Sequence, residues 1–169
     1  MTRSLLDDAF AHHVWATLRL LDECSALSPK QLGTSVPGTY GSILATMRHL
    51  AGGDSLYLLW LTGDRKHAVD VDEMDLRELR GIVERNGAAW FAFLALDPDA
   101  AQIVKDVDEG GYVRDASVGT RLAQALHHGT DHRSQICTAL TFLGVKPPGI
   151  DIWNFGLQTG RIVETPPAS

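Results

Sequence analysis

Residues 117–144 read SVGTRLAQALHHGTDHRSQICTALTFLG, a stretch with the features of one long helix. Ser117 is a favourable N-cap residue at its start, whereas Gly144 and Pro147-Pro148 prevent its continuation. Apolar residues recur along it at helical spacing: Leu122, Leu126, Ile136 and Leu140. We therefore predict an amphipathic helix with one face packed against other helices.

Three earlier segments show the same periodicity. They begin at Ser4, near Ser42 and at Asp75, each of which can cap a helix. Gly63-Asp64 ends the second segment and Pro98 stops the third. Four long helices in succession predict an all-α fold, a four-helix bundle.

A small β-hairpin is expected between the third and fourth helices. Residues 102–108 and 112–116 are β-prone, and Glu109-Gly110-Gly111 between them suits a turn. We predict that residues 145–169 form an irregular C-terminal tail, in which large apolar side chains fold back over the bundle. Because the length is that of about one domain, residues 1–169 are expected to form a single domain.

The composition restricts the class of partner. Hydrophobic residues make up 44% of the chain, which is enough for a real core. The formal net charge is −6, which disfavours binding to a nucleic-acid backbone.

No apolar run approaches the length of a membrane span, and we expect a cytoplasmic protein. Cys24 and Cys137 lie within helical patterns and are expected to be core thiols.

The spacing of the histidines is the feature of the sequence that points to a metal-binding site. His128 and His132 are four residues apart, about 40° around the helix, so both imidazoles can reach one metal ion. His49 faces inward on the second helix, and Gly52-Gly53 is predicted to keep bulk away from it. Three nitrogens on two neighbouring helices would leave other coordination positions open.

The other reading is that these histidines are ordinary core residues and that the pair arose by chance. The remaining histidines are less favoured as ligands. His12 is offset from the apolar stripe and is expected to be solvated, His67 lies in a charged loop, and His127 points about 100° away from its neighbour.

Five polar residues near these positions are candidates for supporting roles. Gln135 can hydrogen-bond either a ligand imidazole or a bound substrate. Arg133 lies on the apolar side, where it either extends to solvent or has a function. Asp54 and Asp131 are expected to be solvated, although Asp54 could lie behind the ligands. Asn86 is expected to set helix register.

Several motifs together resemble one known family. The most specific is HHGTDHRSQI at residues 127–136, followed by Leu143-Gly144 and Pro147-Pro148. MRHL at 47–50 and WLTG at 60–63 are weaker signals. The chain is similar to the DinB family over nearly its whole length.

The resemblance implies a four-helix bundle in which three histidines bind one divalent ion, often nickel or zinc. Here these ligands would be His49, His128 and His132. Asp131 stands where a second histidine commonly precedes the final ligand, and this departure leaves the ligand spacing intact. Related transferases use low-molecular-weight thiols such as bacillithiol or mycothiol, so a thiol cosubstrate is also implied.

A three-histidine metal site permits two kinds of reaction, because it can supply hydroxide or thiolate at neutral pH. No acidic residue lies on the face of His128 and His132, where a hydrolase base would be expected. Thiol-dependent transfer to a small electrophile is therefore favoured. A metal-dependent hydrolase and a non-catalytic metal-binding module remain the alternatives.

The sequence also predicts assembly. Trp15 and Val69 have no obvious cover within a simple bundle, and pairing of the same helical face in two copies would bury them. The resemblance points the same way, and we expect a homodimer.

Overall fold

The computed structural model describes residues 5–107, 110–165 and 167. In chain order its helices are α1 (Leu5–Cys24), α2 (Pro29–Leu32), α3 (Ile43–Thr62), α4 (Leu76–Leu94), α5 (Val118–Phe142) and α6 (Ile152–Gln158). None of the helices in these ranges combines the length and apolar character of a membrane span. The predicted N-cap at Ser4 and the turn residue Glu109 lie outside the described residues.

The helix ends follow the capping chemistry of the sequence. The side chains of Ser42 and Ser117 accept backbone hydrogen bonds at the starts of α3 and α5, and Asp75 forms a capping box at the start of α4. Gly63 ends α3 with a φ of 68°, and Gly144 follows α5 with a φ of 75°. These left-handed conformations favour glycine and stop both helices where predicted.

The long helices form the predicted bundle, in which α1 and α3 each pack against both α4 and α5. Residues from all four helices build two apolar clusters. The larger includes Leu20, Met47, Leu79 and Leu140, and the smaller includes Phe10, Leu58, Trp90 and Leu122. Asn86 on α4 donates to the Ala51 carbonyl at 3.3 Å and to Ser55 Oγ at 2.9 Å, both on α3. Asn86 therefore links α4 to α3 within the core, and its role in setting helix register stays a prediction.

The hairpin consists of β1 (Ile103–Val107) and β2 (Val113–Ser117), which pair antiparallel. A buried ion pair fastens it to the bundle. Arg121 at the start of α5 donates to the fully buried carboxylate of Asp106 and, at 2.8 Å, to the Val104 carbonyl. Its guanidinium also lies 5.1 Å from the centre of the Trp60 ring, so the hairpin is held to both α5 and α3.

The tail differs from the prediction of irregular structure over residues 145–169. Asp151 caps α6 by accepting from the backbone N–H groups of Trp153 and Asn154, which is the local signal that the periodicity argument missed. Phe155 is buried against the bundle, as expected. Trp153 is 69% exposed, so the expectation that the large apolar side chains of the tail fold back over the bundle is wrong for this residue.

Docking of α6 against α1 also changes the expected surroundings of two α1 residues. His12 is partly buried rather than solvated, and its Nε2 lies 2.7 Å from the Ile150 carbonyl. The rings of Trp15 and Phe155 are 5.5 Å apart. Val69 packs against the larger apolar cluster. Trp15 and Val69 thus have cover within the chain, and the homodimer stays a prediction.

Replacement of Asp106 by alanine should destabilise the protein by about 3–5 kcal/mol, because it leaves Arg121 buried without its carboxylate. Urea unfolding followed by circular dichroism measures the loss. The matched control is Asp115→Ala in the same hairpin, whose exposed carboxylate lies 3.6 Å from Lys105 and should contribute no more than about 1 kcal/mol. Equal losses in the two variants would contradict the role of the buried pair.

Candidate metal centre

Three histidines from two helices converge between α3 and α5. His49 comes from α3, and His128 and His132 come from successive turns of α5. One ring nitrogen from each lies within 4.8 Å of the others, and the Nε2 atoms of His49 and His128 are 3.0 Å apart. The spacing on α5 and the packing of α3 against it bring together the three residues that the sequence selected.

This arrangement fits a single divalent ion. Two imidazole nitrogens bound about 2.0–2.1 Å from one ion and adjacent to each other lie about 3 Å apart, which matches the His49–His128 separation. Imidazole donors suit zinc, nickel, copper and iron alike. Among the residues that the structure describes, no carboxylate or thiolate joins the cluster, so further coordination positions would be open.

A hydrogen-bond chain determines which nitrogen of His132 faces the cluster. The backbone N–H of Tyr40 donates to Gln135 Oε1 at 2.9 Å. The same oxygen lies 3.1 Å from His132 Nδ1, which must therefore carry the proton. Nε2 keeps its lone pair for a metal. Gln135 thus makes the contact with a candidate ligand that its spacing predicted.

Tyr40 also covers the cluster directly. Its ring stacks on His49 with centroids 4.0 Å apart and meets the ring of His132 edge-on at 5.4 Å. Tyr40 lies in the loop before α3, where helical periodicity gives no information about where a side chain points. Only the folded loop shows that it belongs to the site.

A second tyrosine, Tyr57 on α3, approaches the ring of His128 edge-on with centroids 5.6 Å apart. Its hydroxyl accepts from Gln124 at 3.3 Å, and burial raises the pKa of Tyr57. Sequence reasoning missed this residue, although a signal existed. Tyr57 lies four residues after Gly53 and therefore on the same helix face.

Comparison with known proteins identifies a family that agrees with the helical fold and the histidine cluster. The family model for the DinB family matches residues 1–161, nearly the whole chain. The chain belongs to the DinB family. This is a metal-binding helical family, and the three-histidine cluster of this DinB protein could hold a metal ion. Among curated proteins, none matches the chain significantly.

Glycines let α3 approach its neighbours closely. A Cβ atom built on Gly53 would lie 2.7 Å from His128 Cε1, and one on Gly52 would lie 2.9 Å from a methyl group of Val71. The expectation that this pair keeps bulk away from His49 is therefore wrong, because the nearest side chains are those of Val71 and His128. Gly53 makes room for the imidazole from the opposite helix.

Burial keeps two of the imidazoles unprotonated. Burial, followed by the neighbouring His132 and His49, lowers the pKa of His128 to about 4. Burial also lowers the pKa of His49, followed by the effect of His132. Both rings are therefore neutral at pH 7, with lone pairs available to a metal.

A buried hydrogen-bond chain that we call the Arg133–His13–Asp54 chain lies beside the cluster. Arg133 donates to His13 Nδ1 at 3.1 Å, and His13 Nε2 lies 2.7 Å from Asp54 Oδ2. Because a guanidinium can only donate, His13 Nδ1 accepts and its Nε2–H donates to Asp54. Sequence reasoning assigned no role to His13, although its position on the buried face of α1 was a usable signal.

The Arg133–His13–Asp54 chain corrects the expectation for Asp54 and excludes one of the two alternatives left open for Arg133. Asp54 is 4% exposed rather than solvated, and Arg133 is 3% exposed and does not extend to solvent. Burial lowers the pKa of Arg133 only to about 10, so its guanidinium stays charged at neutral pH. It also donates to Thr17 Oγ1 at 3.2 Å and to Thr130 Oγ1 at 3.3 Å.

Asp54 is buried and interacts electrostatically with His128. Its charge raises the pKa of His128 and partly offsets the larger lowering by burial. Asp54 Oδ1 and His128 Nδ1 are both buried, and neither has a hydrogen-bond partner within the described part of the chain. Asp54 is not a member of the metal-binding cluster, so its expected place behind the ligands stays a prediction.

The remaining candidates lie outside the cluster. His67 is buried in a short 3₁₀ helix, Arg65–His67, rather than in an open loop. His127 and Asp131 are exposed on α5, and Cys137 is partly buried beside the larger apolar cluster. Cys24 is a fully buried core thiol, as expected.

Replacement of Gly53 by alanine should weaken metal binding by about tenfold or more, because the new methyl group displaces the His128 ring. Competition with a chromophoric chelator measures the affinity. The matched control is Gly81→Ala on α4, where a Cβ atom meets nothing within 4 Å. That variant should keep its metal affinity and gain up to about 1 kcal/mol of stability. Unchanged affinity in Gly53→Ala would exclude this role for the glycine.

Proposed function

We propose that this DinB protein is a metal-dependent enzyme that transfers a low-molecular-weight thiol to a small electrophile. The observation that carries the proposal is the convergence of His49, His128 and His132 with no carboxylate in the cluster formed by the described residues. A divalent ion bound there, with nickel or zinc favoured by the resemblance, would lower the pKa of a bound thiol or water.

The surroundings of the cluster favour thiol transfer over hydrolysis. A hydrolase needs a general base within hydrogen-bond reach of its water. Asp54, the buried carboxylate beside His128, already accepts from His13 and is outside the cluster. The proton of a thiol that binds the ion would pass to solvent, and the thiolate that remains would attack an electrophile without help from a carboxylate.

The protein's own groups hold and shield the reacting centre. Gln135 keeps the proton of His132 on Nδ1, which orients the ring. Tyr40 stacks on His49 and excludes water from one side of it. A cavity of about 600 Å³ has His49 in its lining and is large enough for a small substrate.

A hydrolase and a metal-binding module without catalysis are the competing functions. A closed structural site normally has four protein ligands, whereas three residues converge here among those described. The count favours an open, reactive site. A fourth ligand from a second copy of the chain would instead support the binding module.

Elemental analysis of the purified protein should find close to one divalent metal ion per chain. His128→Ala should lose most of it, because only two of the three imidazoles remain. The matched control is His127→Ala, which removes the adjacent exposed histidine and should leave the metal content unchanged. Near-stoichiometric metal in a variant with alanine at positions 49, 128 and 132 would exclude this site.

The reaction class is tested by incubating small electrophiles with the metal-loaded protein, with and without bacillithiol, mycothiol or glutathione. We expect product only when a thiol is present, and none with His132→Ala. Hydrolysis of esters or amides without thiol, lost in His132→Ala, would favour the hydrolase. Absence of any turnover by fully loaded protein would favour the binding module.

A further inference from the structure

The cavity beside His49 has chemically distinct walls. Leu56, Val69 and Val71 supply apolar surface, and Arg48 and Asp72 also line it. Since His49 is in the same lining, a ligand in this cavity would lie next to the candidate metal centre. The walls therefore bear on which substrates the site accepts.

Arg48 is the cationic residue of this cavity. Its Nε donates to the Met74 carbonyl at 2.9 Å, which holds the side chain in place. The other two guanidinium nitrogens have no hydrogen-bond or ion-pair partner within residues 5–107 and 110–165. A guanidinium anchored by one nitrogen and free at the others is suited to a carboxylate, which it can bind through two parallel hydrogen bonds.

Asp72 restricts the charge of the ligand. Its carboxylate lines the cavity, and within the described part of the chain it forms no ion pair with Arg48 that would neutralise the guanidinium. Negative charge placed close to Asp72 would be repelled, whereas a carboxylate placed against Arg48 can pair with its guanidinium. The apolar wall formed by Leu56 and Val71 suits a short carbon chain.

We propose that Arg48 binds a carboxylate of a small thiol substrate, whose sulfur is directed to the metal centre at His49. The inference rests on the proposed function and adds to it the substrate class and the residue that selects it. Arg48 and His49 point about 100° apart on α3, yet both line the same cavity, so one ligand can contact the anion-binding group and the metal ligand together. A thiol bound at both ends would be oriented before reaction.

The test compares two thiols that differ in one group, 3-mercaptopropionate and 3-mercapto-1-propanol. Isothermal titration calorimetry with nickel-loaded protein gives their dissociation constants. We expect the carboxylate to bind about tenfold tighter or more, since a hydrogen-bonded charge pair contributes strongly. Arg48→Gln should remove this preference by weakening binding of the carboxylate, with the affinity for the alcohol unchanged.

Two further variants and the metal content separate binding from folding. Arg48→Lys keeps the charge but not the paired donors and should retain part of the preference. Arg85→Gln removes the same charge from an exposed position on α4 and should behave as the unaltered protein. Should Arg48→Gln fail to fold or to retain nickel, Arg48→Lys and the two-thiol comparison in the unaltered protein still decide the question.

The outcomes distinguish this inference from the function on which it rests. Equal affinity for the two thiols, with no effect of Arg48→Gln, would overturn the role of Arg48 and leave thiol transfer intact. Failure of both thiols to bind nickel-loaded protein would overturn thiol transfer and the inference with it. A preference for the carboxylate that persists in Arg48→Gln would place the anion at another residue.

Discussion

The Arg133–His13–Asp54 chain joins α5, α1 and α3 through the interior of the bundle. Neither the guanidinium nor the carboxylate could be buried alone without a cost of several kcal/mol, so each depends on the imidazole between them. His128 and His132 precede Arg133 on α5, while His49 precedes Asp54 on α3. A chain that holds Arg133 and Asp54 in place therefore also restrains the two helix segments that carry the histidine cluster.

Close helix packing is the second constraint on the site. Gly129 admits the ring of His13, since a Cβ atom there would lie 2.3 Å from its Cε1, and Gly53 admits the ring of His128. Both glycines weaken their helices by about 1 kcal/mol relative to alanine. Because glycine has no side chain, an imidazole can lie directly against the helix backbone at each position. Its ring nitrogens then occupy space that a Cβ atom would otherwise fill. Polar groups can then occupy the interior of an apolar bundle.

The arrangement around the cluster separates holding a metal from selecting a substrate. Gln135 and Tyr40 act on the imidazoles, one by hydrogen bonding to His132 and the other by stacking on His49. Arg48 faces the adjoining cavity and touches none of these groups in the contacts of the described residues. Substrate preference could therefore change through the cavity wall while the donor set stays the same.

The sequence by itself determined the four long helices, the hairpin and the pairing of His128 with His132 on one face of α5, and it predicted His49 as their partner. Caps such as Ser117, apolar periodicity and the spacing of four residues are local properties, which depend only on neighbours along the chain. Only the tertiary structure decided that Asp54 and Arg133 are buried and that Tyr40 covers His49. Those environments arise from residues far apart in sequence, such as His13 beside Asp54, and burial of a polar group depends on a partner that local spacing cannot reveal.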